Sequence, residues 1–115
     1  MLQRFWFFVL TIVLTFILQI NSVVLAESQP TLGEEIFTVN CAGCHSKGGN
    51  IIRRGKNLKM KALHKYGFDT TETIATIVAN GKNNMSAYGD RLTESEIQTV
   101  AQYVLEQAEN NWRSK

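Results

Sequence analysis

Cys41-Ala42-Gly43-Cys44-His45 sets two thiols three positions apart, with an imidazole directly after the second. This C-x-x-C-H spacing is the one by which a c-type haem is attached. Each thiol can bond one vinyl group, and the residue that follows then lies under the iron, where His45 can serve as the proximal ligand. Three other chemistries use the same residue types. A redox C-x-x-C belongs beside a β-α-β pattern, which this sequence lacks. A tetrahedral zinc site needs further Cys or His at matching spacing, and only His64 remains. A structural disulfide suits an exported chain but leaves His45 without a role. Haem attachment through Cys41 and Cys44 accounts for every residue of the motif.

A second axial ligand would come from Met60, His64 or Met85. Met60 lies between Lys59 and Lys61 and reads as a partly buried packing residue. His64, between Leu63 and Lys65, reads as a surface residue or a neighbour of a haem propionate. Met85 sits in Gly81-Lys-Asn-Asn-Met85-Ser-Ala-Tyr88, a loop without strong helix formers and long enough to fold over a haem face. It is the favoured donor. His64, Met60 and an open sixth position stay as alternatives.

The elements that must position these groups read as helices. Thr31-Leu-Gly-Glu34 is a capping-box start, followed by an apolar face of Ile36, Phe37 and Val39 that runs up to Cys41. Thr93-Glu-Ser-Glu96 opens the last helix, where Ile97, Val100, Ala101, Val104, Leu105 and Ala108 form one stripe. Two shorter helices are expected between them. One spans Asn57 to Tyr66 and is closed by Gly67; the other is opened by Asp69-Thr-Thr-Glu72, turns Ile74, Ile77 and Val78 inward, and is closed by Gly81. No segment alternates with period two, so the fold class is all-α, with loops at 46–57 and 81–91.

Residues 5–20 hold 13 apolar side chains in 16 and no charge, with Arg4 before them and Val24-Leu25-Ala26 after them. A basic start, a short apolar run and a small-residue site describe a signal peptide cut after Ala26, so 1–26 is the leader and 27–115 one domain. The rival reading, an uncleaved anchor, needs a run of about 20 apolar residues. Removing 26 of the 115 residues leaves 89, with 11 basic and 10 acidic side chains. That balance is far from the strongly basic footprint of a nucleic-acid binder. A domain this small also calls for a staple such as a disulfide, a metal or a cofactor.

With CAGCH and its flanking helices in hand, the exported region resembles the class I c-type cytochromes, and most of all the cytochrome c6 and cyanobacterial c6-like branch. The resemblance rests on CAGCH, Gly48-Gly49-Asn50-Ile51-Ile52, Lys56-Asn57-Leu58-Lys59 with Ala62-Leu63, and Asn80-Gly81-Lys82-Asn83 with Met85. It continues through Arg91-Leu92-Thr93, Tyr103-Val104-Leu105 and Trp112, covering nearly all of 31–112. It implies four or five short helices around one covalently bound haem, with His45 and Met85 as axial ligands and Asn50 and Lys56 in the haem surroundings. It also implies that the first and last helices cross at Gly33, beside Phe37 and Tyr103. Three departures stand out. Met85-Ser86-Ala87-Tyr88 replaces the usual Met-Pro-Ala-Phe, Ala79 stands where many members carry a potential-tuning Gln, and the extra cysteine pair of plant c6-like proteins is missing.

The resemblance implies a soluble, monomeric one-electron carrier of the thylakoid lumen or periplasm. It would run between a cytochrome f-type or bc-type donor and photosystem I or a terminal oxidase. The alternative is a haem-binding sensor or accessory subunit whose distal ligand can be displaced. Docking has its own sequence signal. Lys47 to Lys65 carries Lys47, Arg53, Arg54, Lys56, Lys59, Lys61 and Lys65 and no acid, whereas Glu34, Glu35, Glu94, Glu96, Glu106 and Glu109 lie elsewhere. Such a run is either a solvated helix face or a basic patch for an acidic partner, with Arg91 joining it.

Overall fold

The structure is a computed structural model that describes residues 1–19 and 31–113, with side chains omitted for 15–19. The expected cleavage point at Ala26 lies outside the described residues. Helix α1, Leu2–Gln19, exposes its aromatic side chains Phe5, Trp6, Phe7 and Phe8. Among the described residues no helix is long and apolar enough to cross a membrane.

The rest of the chain forms α2 (Leu32–Asn40), α3 (Ala42–His45), α4 (Met60–Tyr66), α5 (Thr71–Asn80) and α6 (Glu94–Glu109). Single 3-10 turns lie at Ser46–Gly48 and Arg54–Lys56. Among the described residues the one extended pairing is an isolated bridge between Lys82 and Met85. The class is all-α, as the periodicity predicts.

Helix starts follow from local hydrogen bonding, with two corrections. Thr93 and Glu96 form the full reciprocal box: the Thr93 hydroxyl accepts the Glu96 N–H, and the Glu96 carboxylate accepts the Thr93 N–H at 2.8 Å. The Thr93 N–H, and with it the Thr93 hydroxyl as a second donor, holds the Glu96 carboxyl below its ordinary pKa. At α2 the Thr31 half of the box forms, with the hydroxyl accepting the Glu34 N–H. Helix α5 is capped by Thr70 with Thr73 rather than by Asp69 with Glu72. The Asp69 carboxylate is already engaged by the His64 ring at 2.6 Å, which lowers its pKa. Helix α4 begins at Met60, not Asn57. The Asn57 side chain accepts the Lys59 N–H and donates to the Arg54 carbonyl, which keeps this stretch a turn.

Helix α6 is the centre of the core. Val100, Ala101 and Ala108 are fully buried, Ile97 and Val104 nearly so, and Leu105 is half-buried. Ile36 and Phe37 of α2, Leu63 of α4, and Ile74, Ala75 and Val78 of α5 pack with this stripe. Val39, expected on the inner face, is 82% exposed. It follows Phe37 by two positions, about 200° around the helix, and so points away from α6.

The α2–α6 crossing is as close as backbone allows. A Cβ placed on Gly33 would lie 2.7 Å from the Tyr103 Cβ and 3.0 Å from the Thr99 carbonyl oxygen. Next to it the Phe37 ring packs between Tyr103 at 5.5 Å and Trp112 at 5.1 Å. The Trp112 indole N–H donates to the Leu58 carbonyl at 2.9 Å, which ties the chain beyond α6 to the loop before α4. Gly33→Ala should therefore cost about 1–3 kcal/mol by overpacking. A lower denaturant midpoint would show it, and an unchanged midpoint would contradict so tight a crossing.

Candidate functional site

The turn after α2 groups the motif side chains. The Cys41 N–H continues the helix to the Phe37 carbonyl, and the Cys44 and His45 N–H groups both donate to the Cys41 carbonyl, at 3.1 and 2.9 Å. Positions i, i+3 and i+4 of one helical turn share a face. Cys41, Cys44 and His45 accordingly line one cavity of about 410 Å³. The His45 Nδ1 lies 2.8 Å from the Gly49 carbonyl oxygen. A carbonyl only accepts, so Nδ1 is the donor and Nε2 keeps a free lone pair. Burial pushes the free Cys41 thiol up to about 11, so before any thioether forms it is a neutral S–H rather than a thiolate.

Met85 reaches the same cavity from the loop after α5. Gly81, at φ 69°, ends that helix; a Cβ there would sit 2.6 Å from the Met85 carbonyl oxygen. Lys82 and Met85 exchange two backbone hydrogen bonds of 3.0 Å, and the Tyr88 and Gly89 N–H groups donate to the Val78 and Ala79 carbonyls. The Tyr88 hydroxyl donates to the Asn40 carbonyl at 2.9 Å. The bonds made by Tyr88 and Gly89 anchor a loop that lacks the usual proline.

The other expected residues divide. Asn50, Arg53 and Lys56 line the cavity; Arg54 and Arg91 do not. Asn50 organises its own loop, donating to the Lys56 carbonyl and accepting the Ile52 and Arg53 N–H groups. Arg91 lies over the Tyr88 ring, 5.3 Å from its centroid. His64, its side chain 79% exposed and bonded to Asp69, is outside the cavity. Met60 is outside it as well, half-buried against the core. Ala79 does not face the cavity; from α5, Ile74, Ile77 and Val78 do, so any side chain of α5 that tunes a bound group comes from these. Tyr66, Phe68 and Tyr88 also line the cavity and were not picked out by sequence spacing. Only Tyr88 left a signal, as an aromatic position with an added hydroxyl.

The walls belong to the core. Phe37, Leu63, Ile74, Val78, Val100 and Val104 are buried core residues and cavity lining at once. The volume falls in the roughly 300–1,000 Å³ range of cofactor pockets. Among the described residues no group of three or more His, Cys, Asp or Glu could hold a bare metal ion. Two thiols, one imidazole nitrogen and one thioether around an apolar cavity instead fit an iron already held by a porphyrin.

A helical fold wrapped around a C-x-x-C-H cavity defines a class I c-type cytochrome. Comparison with known proteins narrows the class. The family model described as cytochrome c oxidase, cbb3-type, subunit III matches residues 28–104. A cytochrome c6-like protein of Nostoc sp. is 70% identical over 81 residues, covering 70% of this chain and 73% of that protein. A cytochrome c6 of Bumilleriopsis filiformis is 50% identical over 80 residues, covering 70% of this chain and 93% of that protein. The crystal structure of cytochrome c6C from a Synechococcus species superposes with a TM-score of 0.70 at 56% identity, covering 71% of this chain and all of that one. The chain belongs to the class I c-type cytochromes, close to cytochrome c6, and carries one covalently bound haem c. Cytochromes c6 are electron carriers rather than enzymes. Because the cofactor fills the core, the protein prepared without haem should lose its near-UV circular dichroism. A native-like near-UV spectrum in the haem-free chain would contradict this.

Proposed function

We propose that this chain is a one-electron carrier in which Cys41 and Cys44 anchor the haem and His45 and Met85 are its two axial ligands. The observation behind this reading is that His45 and Met85 line one cavity with both thiols, while Met60 and His64 lie outside it. The bound haem supplies an Fe(II)/Fe(III) couple whose potential His/Met ligation raises. The chain's own residues do the rest. The Gly49 carbonyl fixes the His45 ring, the bonds of the 81–89 loop hold the Met85 sulfur, and the apolar walls keep water out. With both axial positions filled, no substrate reaches the metal. No feature of the site favours the sensor reading.

The same proposal includes export, with cleavage after Ala26, and work in the thylakoid lumen or periplasm as a soluble monomer. The donor would be a cytochrome f-type or bc-type complex, and the acceptor photosystem I or a terminal oxidase. Docking is assigned to the cavity rim. Ile52 and Arg53 are exposed there, with exposed Ile51 and Arg54 as their neighbours in the chain. All seven cations from Lys47 to Lys65 are exposed, and among the described residues none has an acidic partner within 4.0 Å. A small apolar rim with unpaired positive charge suits brief, electrostatically steered encounters.

Two measurements test this reading. The wild-type ferric protein should show the long-wavelength iron–thioether charge-transfer band and its ferrous form should refuse carbon monoxide, whereas Met85→Ala should lose the band and bind the gas. Rapid carbon monoxide binding by the wild type would overturn the carrier reading. Reversing charge at Arg53 and Arg54 should lower the association rate with an acidic redox partner about tenfold at low salt and flatten its salt dependence. If neither changes, the rim is not the docking surface.

A further inference from the structure

Three carbonyls at the C-terminal end of α2 find a donor, and one of those donors comes from far away. The Ile36 carbonyl accepts from the Asn40 side chain, and the Phe37 carbonyl accepts the Cys41 N–H. Asn40 is the last residue of α2, so its carbonyl has no intrahelical donor. It accepts the Tyr88 hydroxyl, 48 residues along the chain, at 2.9 Å. The next residue is Cys41, where the attachment turn begins. Tyr88 is three residues beyond Met85, its own N–H is bonded to the Val78 carbonyl, and its ring packs half-buried against the core under the Arg91 guanidinium.

We propose that Tyr88 is a positioning residue, a latch that keeps the Met85 sulfur in the cavity by tying its loop to the attachment turn. The proposal rests on the reading of Met85 as axial ligand. For Met85 to withdraw, the 81–89 loop must lift. The paired bonds between Lys82 and Met85 lie within that loop and travel with it, so they offer no resistance. Resistance comes from bonds that leave the loop. The Tyr88 and Gly89 N–H groups reach back only to α5, whereas the phenol bond crosses to the end of α2. A phenylalanine at position 88 keeps the ring and its packing but leaves the Asn40 carbonyl without that donor.

The test is imidazole titration of the ferric holoprotein, which measures how readily an outside nitrogen ligand replaces the thioether. Tyr88→Phe should raise imidazole affinity roughly three- to tenfold, the net worth of one hydrogen bond. Trp112→Phe is the control. It removes a side-chain bond of the same 2.9 Å, to Leu58, that does not involve the 81–89 loop. It should lower Tm yet leave imidazole affinity within about twofold. An unchanged affinity in Tyr88→Phe, or an equal rise in Trp112→Phe, overturns the latch while the Met85 assignment stands. A wild-type ferric spectrum without the iron–thioether band overturns the assignment itself, and the latch with it.

Discussion

The buried side chains of α2, α4, α5 and α6 form a core and the wall of a cavity at the same time, and this double use governs the rest of the molecule. Phe37, Leu63, Ile74, Val78, Val100 and Val104 bury one another on one side and face the cavity on the other. A domain of this size has little apolar surface to spare, so the group that fills the cavity is part of the core and not an addition to it. The Gly33 crossing serves the same end. By letting α2 approach α6 to backbone contact, it brings the Phe37 ring against Tyr103 and Trp112 and sets where the attachment turn begins.

Around that shared wall, function follows from short local devices. One helical turn gathers Cys41, Cys44 and His45, and a single carbonyl, that of Gly49, decides which imidazole nitrogen is free. A loop bonded to the end of α5 delivers Met85. On the proposed ligation the chemistry is confined to few residues, and the remainder of the c6-like fold holds them still. Electron transfer benefits from such rigidity, because a coordination shell that barely moves has little to reorganise.

Much of this was legible in the sequence because it is local. The α6 stripe, the Thr93–Glu96 box and the C-x-x-C-H turn each depend on residues within a few positions of one another. Where the reading failed, a competing contact had intervened. Asp69 does not cap α5 because His64 holds it, and Asn57 starts a turn instead of α4 because its side chain captures two backbone groups. Val39 continues the apolar run of Ile36 and Phe37, but the helical period turns it outward. Ala79 stands where the resemblance puts the family's Gln, yet from α5 it is Ile74, Ile77 and Val78 that face the cavity. The bonds from Tyr88 to Asn40 and from Trp112 to Leu58 span 48 and 54 residues, and no local pattern announces a partner at that range.

A covalent link between the porphyrin and both cysteines, Cys41 and Cys44, is what everything else in the molecule requires. Mass spectrometry of the exported protein and of its tryptic peptide ending at Lys47 reads that link directly. The expected result is one haem added to the chain, carried entirely by the peptide that contains Cys41 and Cys44, with no thiol left to alkylate. A colourless protein with the mass of the bare polypeptide and two alkylatable cysteines would contradict it.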